Sequence, residues 1–324
     1  MSRPADRGRV VVVGGAGFIG THVVERLVAA GWTVLVVDDN SHPCGVALPD
    51  PVECLVAGGG SEEARAAMER FRPDALIHLA AKGGVNRALR DPGGHVAAVL
   101  SQSVGCFAAA AAAGCTSILI ASSGGAVYGD PRVLPASERL RPSPRSAYGA
   151  EKLCEETYLA TVARGGVRTM ALRYGNVYGP RQDGTGEAGV VAITATRLLE
   201  GLAPVVYGDG LQTRDFVYVE DVAAATVAAL DSTRNGPVNI GTGKETSVRD
   251  IVTGLVQLSG SNAEIEFRAS RDGEVRRAAL DASRAERWLG WRSQTRLMDG
   301  LARTAEFFAA RGHAAPTNVS GGTT

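Results

Sequence analysis

Tyr148 and Lys152, in Tyr148-Gly-Ala-Glu-Lys152, are side chains whose types and spacing suit proton transfer. Residues four apart on a helix share a face. An ammonium beside a phenol favours the phenolate and draws a tyrosine pKa down from about 10 toward neutrality. Such a tyrosine can take the proton of an alcohol or sugar hydroxyl while a hydride leaves the same carbon. The pair alone recurs by chance on exposed helices. It becomes informative beside Ser122-Ser123-Gly-Gly-Ala-Val-Tyr128-Gly129, a small-residue segment at the end of an apolar run.

A second constellation supplies the partner for that hydride. Val10-Val-Val-Val-Gly14-Gly-Ala-Gly17-Phe18-Ile19-Gly20 is a strand running straight into a helix, with glycines at three-residue spacing. Glycine lets the backbone turn tightly and approach a pyrophosphate, which then sits on the free N–H groups at the helix N-terminus. Asp38 and Asp39 follow about 20 residues on, at the end of the next strand, where a carboxylate accepts from a ribose diol and repels a 2′-phosphate. This pattern predicts NAD rather than NADP.

The elements that position these residues alternate. Apolar strands are expected at Arg9–Val13, Thr33–Val37, Val52–Val56, Ala75–His78, Ser117–Ala121 and Thr169–Arg173, with helices near Phe18–Ala30, Ser61–Arg70, Pro92–Ala113 and Ser146–Ala163. Continuous apolar strands separated by helices indicate an α/β fold, a doubly wound parallel sheet covered on both faces, with ligands at the carboxyl ends of its strands. Beyond Tyr178 the pattern changes to Gly-rich loops, a helix near Val190–Glu200 and a short strand Val205–Tyr207. A helix at Val219–Leu230 and a strand at Val238–Ile240 return to the sheet. The division expected is a Rossmann domain at 1–178 plus 213–242, a smaller α/β substrate-binding cap at 179–212 plus 243–311, and a disordered tail at 312–324.

The chain has 324 residues, with 34 basic and 34 acidic side chains and no formal net charge. No bulk field draws it to nucleic acid or an anionic membrane, so an anionic ligand must be gripped by local arginines and backbone dipoles. Five scattered cysteines without a C-x-x-C read as reduced thiols of a cytoplasmic protein, and no cationic start precedes an apolar stretch. The five histidines have no metal-ligand spacing, so no metal is expected, and His78 reads as a structural strand-end residue. Trp288 and Trp291 read as packing of a terminal cap helix.

With these residues in hand, the chain resembles the extended short-chain dehydrogenase/reductase family, in its NAD-dependent nucleotide-sugar epimerase/dehydratase branch, closest in pattern to the UDP-glucose 4-epimerases. The segments that carry the resemblance are GGAGFIG (14–20), HLAA (78–81), SSGGAVYG (122–129), YGAEK (148–152), LRYGNVYGPRQ (172–182), GDGLQTRDFVYVEDV (208–222), NIGTG (239–243) and RDGEVRRAALD (271–281). It implies a bound NAD, contacted also by Phe18, Ile19, Asn40, Leu79, Ala80 and Ala81, and a nucleotide-diphosphate sugar, UDP-linked, in the cap cleft. It implies Tyr148 as general base, Lys152 on the nicotinamide ribose, and Ser123 on the reacting hydroxyl. Asn176, Arg214 and Arg271 fall where the diphosphate is held, Val190, Val205 and Tyr207 near the base, and Ala278 where the sugar's C2 substituent is limited. A small residue there would admit N-acetylhexosamines. The family commonly dimerises through two helices, here Pro92–Ala113 and Ser146–Ala163.

Four positions depart from the family pattern. Val13 replaces a threonine, Ala57-Gly58-Gly59 stands where an aspartate meets adenine, Val99 replaces an asparagine, and Gly124 occupies the usual place of the Ser/Thr, leaving Ser123 to serve. Dehydratases and decarboxylases carry carboxylates just before V-Y-G. Gly124, Gly125 and Ala126 supply none, which favours 4-epimerisation over loss of water; the alternatives are another sugar-nucleotide enzyme (dehydratase, decarboxylase or 4-ketoreductase) and a non-catalytic NAD- or nucleotide-sugar-binding regulator, which Gly58 and Val99 motivate and the intact Tyr148 and Lys152 oppose.

Overall fold

A computed structural model describes residues 7–81, 91–185, 189–270 and 275–313. Seven strands form one sheet: β1 (Arg9–Val13), β2 (Thr33–Asp38), β3 (Glu53–Val56), β4 (Ala75–His78), β5 (Ser117–Ser123), β6 (Arg168–Tyr174) and β11 (Gly236–Ile240). Their order is β11-β6-β5-β4-β1-β2-β3, and all neighbouring pairs are parallel. The chain winds outward from β1 to β3, then restarts on the other side at β4. The gap between the carboxyl ends of β1 and β4 is therefore the switch point where such sheets bind ligands.

Strand periodicity explains why both faces are apolar. Val10 and Val12 sit in one buried cluster with Val23, Val24 and Leu27 of α1 (Phe18–Ala29) and Val222 and Ala225 of α7 (Val219–Leu230). Val11 and Val13 sit in the other, with Ala64 and Met68 of α2 (Glu62–Phe71) and Cys106 and Phe107 of α3 (Pro92–Ala112). Alternate side chains of one strand thus feed two cores. Helix starts are written locally. Ser61 Oγ accepts from Ala64 N, Asp91 carboxylate from Gly94 N with Pro92 following, and Ser146 Oγ from Gly149 N at the start of α5 (Ala147–Ala163).

Outside the large sheet, β7 (Asn176–Tyr178) pairs with β10 (Phe216–Tyr218), β8 (Val205–Tyr207) with β13 (Glu266–Arg268), and β9 (Thr213–Arg214) with β12 (Thr246–Ser247). Around them pack α6 (Val190–Leu199), α8 (Val248–Ser259) and α10 (Leu297–His313), sharing a cluster of Val191, Ile251, Leu255 and Leu301 with Tyr178, Phe216 and Tyr218. Helix α10 continues through Gly312 and His313, two residues into the expected tail; residues 314–324 lie outside those described. Trp291 also departs from expectation. It follows α9 (Ser283–Leu289), is buried in the main core with Ala285, and its indole donates to the Asp221 carbonyl at 2.9 Å. Among the described residues, no helix is long and apolar enough to cross a membrane.

Buried Asp215 joins these small strands to the sheet. Its carboxylate accepts from Thr242 N (2.8 Å), Thr242 Oγ1 (2.6 Å), Gly243 N (3.0 Å) and Leu280 N (3.0 Å), drawing the loop after β11 and the segment before α9 onto β9–β10. Asp215→Ala leaves the buried Leu280 amide and the half-buried Thr242 and Gly243 amides without their acceptor, and we expect a loss of about 3 kcal/mol, read as a lower urea midpoint; an unchanged midpoint would refute this role.

His78 ends β4 fully buried, edge-on to Phe107 at 5.5 Å, and burial pushes its pKa down to about 4. Below about pH 6.5 the unfolded chain takes up a proton that the folded chain refuses, so stability falls as pH drops toward 4. Between about pH 7 and pH 5 this costs about 2 kcal/mol. Urea titrations at the two pH values should show a shallower dependence in His78→Gln; equal slopes would contradict the assignment.

Candidate active site

The cleft at the switch point encloses about 690 Å³. Its floor is the turn from β1 into α1. Gly14 has φ +80°, and a Cβ there would fall 2.6 Å from Ala80 N, so only glycine lets this turn meet the chain leaving β4. Gly20 is equally closed, since a Cβ would lie 2.1 Å from Gly14 O. Gly17 differs: an added Cβ would touch only Gly14 O, at an ordinary 3.5 Å. Protein packing therefore does not require glycine at position 17, whereas close approach of a phosphate to the start of α1 does.

Gly14, Gly17, Phe18, Ile19, Gly20, Asp38, Asp39, Leu79, Ala80 and Ala81 all line this cleft, as the sequence leads one to expect; Asn40 does not. Asn40 has φ +52° and donates its N–H to Asp38 Oδ1 at 2.9 Å, while Ala16 N donates to Asp38 Oδ2 at 2.9 Å. Asp38 thus holds the glycine turn and the turn after β2 together. Each carboxylate oxygen keeps a further acceptor site toward the cleft.

Three wall segments were not foreseen from the spacing. Gln102 of α3 lies over Gly58–Gly60, its Oε1 accepting from Gly60 N at 3.0 Å, and a Cβ at Gly58 would fall 2.8 Å from that same oxygen. The polar side chain missing at the end of β3 is supplied from α3. Arg181 has φ +73°, pairs with Glu25 at 2.7 Å, and keeps a buried Nη1 with no hydrogen-bond partner among the described residues. Phe308 and Arg311 of α10 close the far side. The glycine cradle, the carboxylate after β2 and a buried guanidinium donor together fit a dinucleotide.

The catalytic candidates gather beside this cleft on β5 and α5. Lys152 Nζ lies 6.0 Å from the centre of the Tyr148 ring, as four-residue helical spacing requires. Ser123 heads α4 (Gly124–Val127) without making a capping hydrogen bond, and its hydroxyl acts on the Tyr148 phenol. A Cβ at Gly124 would lie 2.5 Å from Leu280 Cδ1, so a side chain there would require Leu280 to move, and the hydroxyl one place earlier is the one available. A Cβ at Gly125 would lie 3.2 Å from Asn176 Oδ1 and 4.0 Å from Ser123 Oγ, which brings Asn176 to the same corner.

The tyrosine's ionisation differs from the sequence expectation. Burial holds the Tyr148 phenol above its ordinary pKa, helped by Glu155 and Glu151, against the opposing pull of Lys152 and Ser123. Burial is the main cause, and Glu155 adds to it: it is itself buried on α5, its Oε2 accepting from Lys152 Nζ at 2.8 Å and its Oε1 from Ser103 Oγ of α3 at 2.6 Å. Glu155 stays ionised beside the ammonium, and the ammonium is held above its own ordinary pKa. Helical spacing shows Glu155 near Lys152; only the fold shows that both are buried and closed over by Ser103 and His78.

The next residue performs a separate task. Glu156 takes Arg173 of β6 in a two-pronged pair (2.9 and 2.6 Å); Arg173 also donates to Tyr128 OH, and Tyr128 OH to Asn239 Oδ1 of β11. With Ser122 Oγ of β5 also donating to Glu156, this chain ties α5, β5, β6 and β11 at the level of Ser122.

The other candidate substrate residues are spread over the small strands. Arg214 is on β9, with Nη1 donating to the Thr213 carbonyl, and lies two residues before Phe216, the partner of Asn176 across β10–β7. Val205 and Tyr207 are on β8, and Val190 opens α6. Ala278 is buried, its N–H on the Thr213 carbonyl at 3.2 Å, and does not line the dinucleotide cleft. Arg271 lies outside the described residues. Among the described residues, no three His, Cys, Asp or Glu side chains gather as metal ligands.

Comparison with known proteins agrees with this geometry. Residues 10–241 match the NAD dependent epimerase/dehydratase family. The chain is 39% identical over 307 residues to a UDP-glucose 4-epimerase of Mycolicibacterium smegmatis, covering 93% of this chain and 98% of that one. It is similar to the crystal structure of UDP-glucose 4-epimerase with UDP-glucose from Thermotoga maritima (TM-score 0.89, 37% identity, 94% of this chain and 99% of that one). It is also similar to the Thermus thermophilus UDP-glucose 4-epimerase complex with NAD (TM-score 0.87, 37% identity, 93% and 98%). A glycine cradle at the switch point, a tyrosine and lysine on the helix beside it, and a sequence match running through both place the chain in one group: it belongs to the NAD dependent epimerase/dehydratase family.

Proposed function

We propose that the protein is an NAD-dependent 4-epimerase of a UDP-linked hexose, interconverting UDP-glucose and UDP-galactose through a transient 4-ketosugar. The observation that carries this reading is the meeting of Tyr148, Lys152 and Ser123 beside a dinucleotide cleft, with only Gly124, Gly125 and Ala126 where added acid–base carboxylates would stand.

NAD, when bound, would supply the hydride acceptor for C4 of the sugar and the donor for its return to the opposite face. Gly14, Gly17 and Gly20 bring backbone N–H groups to its pyrophosphate, Asp38 accepts from its adenosine ribose, and Arg181 adds a buried donor. Tyr148 takes the proton from the C4 hydroxyl and gives it back after the ring has turned. Ser123 donates to the same oxygen and keeps it pointed at the phenol. Lys152 has two ammonium donors beyond the one Glu155 takes, and these meet the nicotinamide ribose. Asn176, Arg214 and Arg271 hold the diphosphate while the sugar swings, and Val190, Val205 and Tyr207 lie along the base. In this reading the cap at 179–212 and 243–311 encloses the sugar nucleotide. Ala278, the small residue assigned to the C2 side, leaves room for N-acetylhexosamines. A homodimer forms through the outer faces of α3 and α5, in a reducing cytoplasm that keeps all five thiols free.

Loss of the phenol oxygen removes the general base. With UDP-galactose as substrate, Tyr148→Phe should lose about 10³-fold or more in kcat while still binding NAD, and Ser123→Ala about 10–100-fold. Conversion to UDP-glucose at the wild-type rate by Tyr148→Phe would overturn the reading, as would a wild-type protein inert on the UDP-hexoses.

A further inference from the structure

Lys152 and Glu155 form an ion pair in which neither side chain touches solvent. Two charges leave water only at a substantial cost, which the pair recovers through good geometry and further hydrogen bonds. Here Ser103 of α3 supplies one hydrogen bond, and neutral His78 of β4 packs alongside. The other groups facing this corner are Tyr148 and Glu151 on α5 and Ser123 at the end of β5. Structural demand for a carboxylate on this turn of α5 is met separately by Glu156, which neutralises Arg173. Glu155 therefore has a different consequence. It offsets the positive charge of Lys152, which would otherwise favour the Tyr148 phenolate at rest.

We infer that Glu155 is a positioning residue for the proposed proton transfer: it clamps Lys152 and offsets its charge, so that Tyr148 keeps its proton until substrate and oxidised NAD share the cleft. A cationic nicotinamide ring then adds the positive charge that Lys152 alone does not deliver. The free enzyme is thereby kept from holding a bare phenolate beside a reactive cofactor. The arrangement also fixes where the ammonium stands, since Ser103 anchors Glu155 from a second helix and Glu155 in turn holds Lys152 Nζ.

The consequence for catalysis rests on the epimerase reading, but the test does not. The ultraviolet absorbance of tyrosinate is titrated in the full-length protein, and the same titration of Tyr148→Phe is subtracted to isolate Tyr148. Repeated in a Glu155→Gln background, the Tyr148 midpoint should fall by about one pH unit or more, roughly a tenfold change in acid constant. A merely structural Glu155 would lower the melting temperature and leave the midpoint where it was, which would overturn the inference, as would a rise. Should Glu155→Gln fail to fold, Glu155→Asp, which draws the carboxylate back by one methylene, should lower the midpoint by a smaller amount; no fall there also overturns it. The acid limb of the kcat/KM profile on UDP-galactose should move the same way. A shifted midpoint with a wild-type protein inert on UDP-galactose and UDP-glucose would sink the epimerase reading and leave the coupling of Glu155 to Tyr148 standing.

Discussion

Two cations are buried at the carboxyl end of the sheet, and each must be neutralised where it lies. Lys152 meets Glu155 within α5, three residues along the same helix, while Arg173 of β6 meets Glu156, so two consecutive carboxylates of α5 serve one pair inside the helix and one across to the sheet. A buried charge without its partner destabilises by several kcal/mol, so the Arg173–Glu156 pair makes the azimuth of α5 against β6 a strict condition on the fold. Once that azimuth is set, Tyr148 stands beside Ser123 and the dinucleotide cleft. The reacting corner is thus a consequence of charge burial as much as of apolar packing.

The parallel sheet provides the other half of the arrangement. Register aligns Val13, Val37, His78 and Ile120 across β1, β2, β4 and β5, so the chain leaves the strands at one level. Gly14 follows Val13 and Leu79 follows His78, and these exits meet closely enough that a Cβ on Gly14 would strike the backbone of Ala80. Asp38, one residue past the aligned level on β2, reaches back to both turns. A neutral chain can hold an anionic ligand here because the helix end and Arg181 are placed, not because of any overall field.

Much of this was legible in the sequence because it is local. The glycine turn, Asp38, and the Tyr148–Lys152 spacing each lie within one strand–turn–helix or one helix, and the alternating apolar runs gave the strands to within a residue or two at most ends. What was not legible depends on contacts between distant segments. Glu155 reads as an ordinary surface glutamate until Ser103, 52 residues earlier, closes over it. Gly58–Gly60 read as a lost contact until Gln102 fills the space. Asp215 sits in a recognisable segment, yet its role appears only when Thr242, Gly243 and Leu280 converge on it. Trp288 and Trp291 read as packing of a terminal cap helix, whereas α9 packs on α7 and β11 and sets both against the main core.

The central claim is that C4 of the sugar loses and regains the same hydride within one closed site. Its most direct test uses UDP-galactose carrying deuterium at C4, incubated with the NAD-loaded protein in ordinary water, with the product followed by NMR and mass spectrometry. The account predicts UDP-glucose with the deuterium retained at C4 and none released to solvent. Exchange of the label with water, or a product changed anywhere but in its C4 configuration, would contradict it.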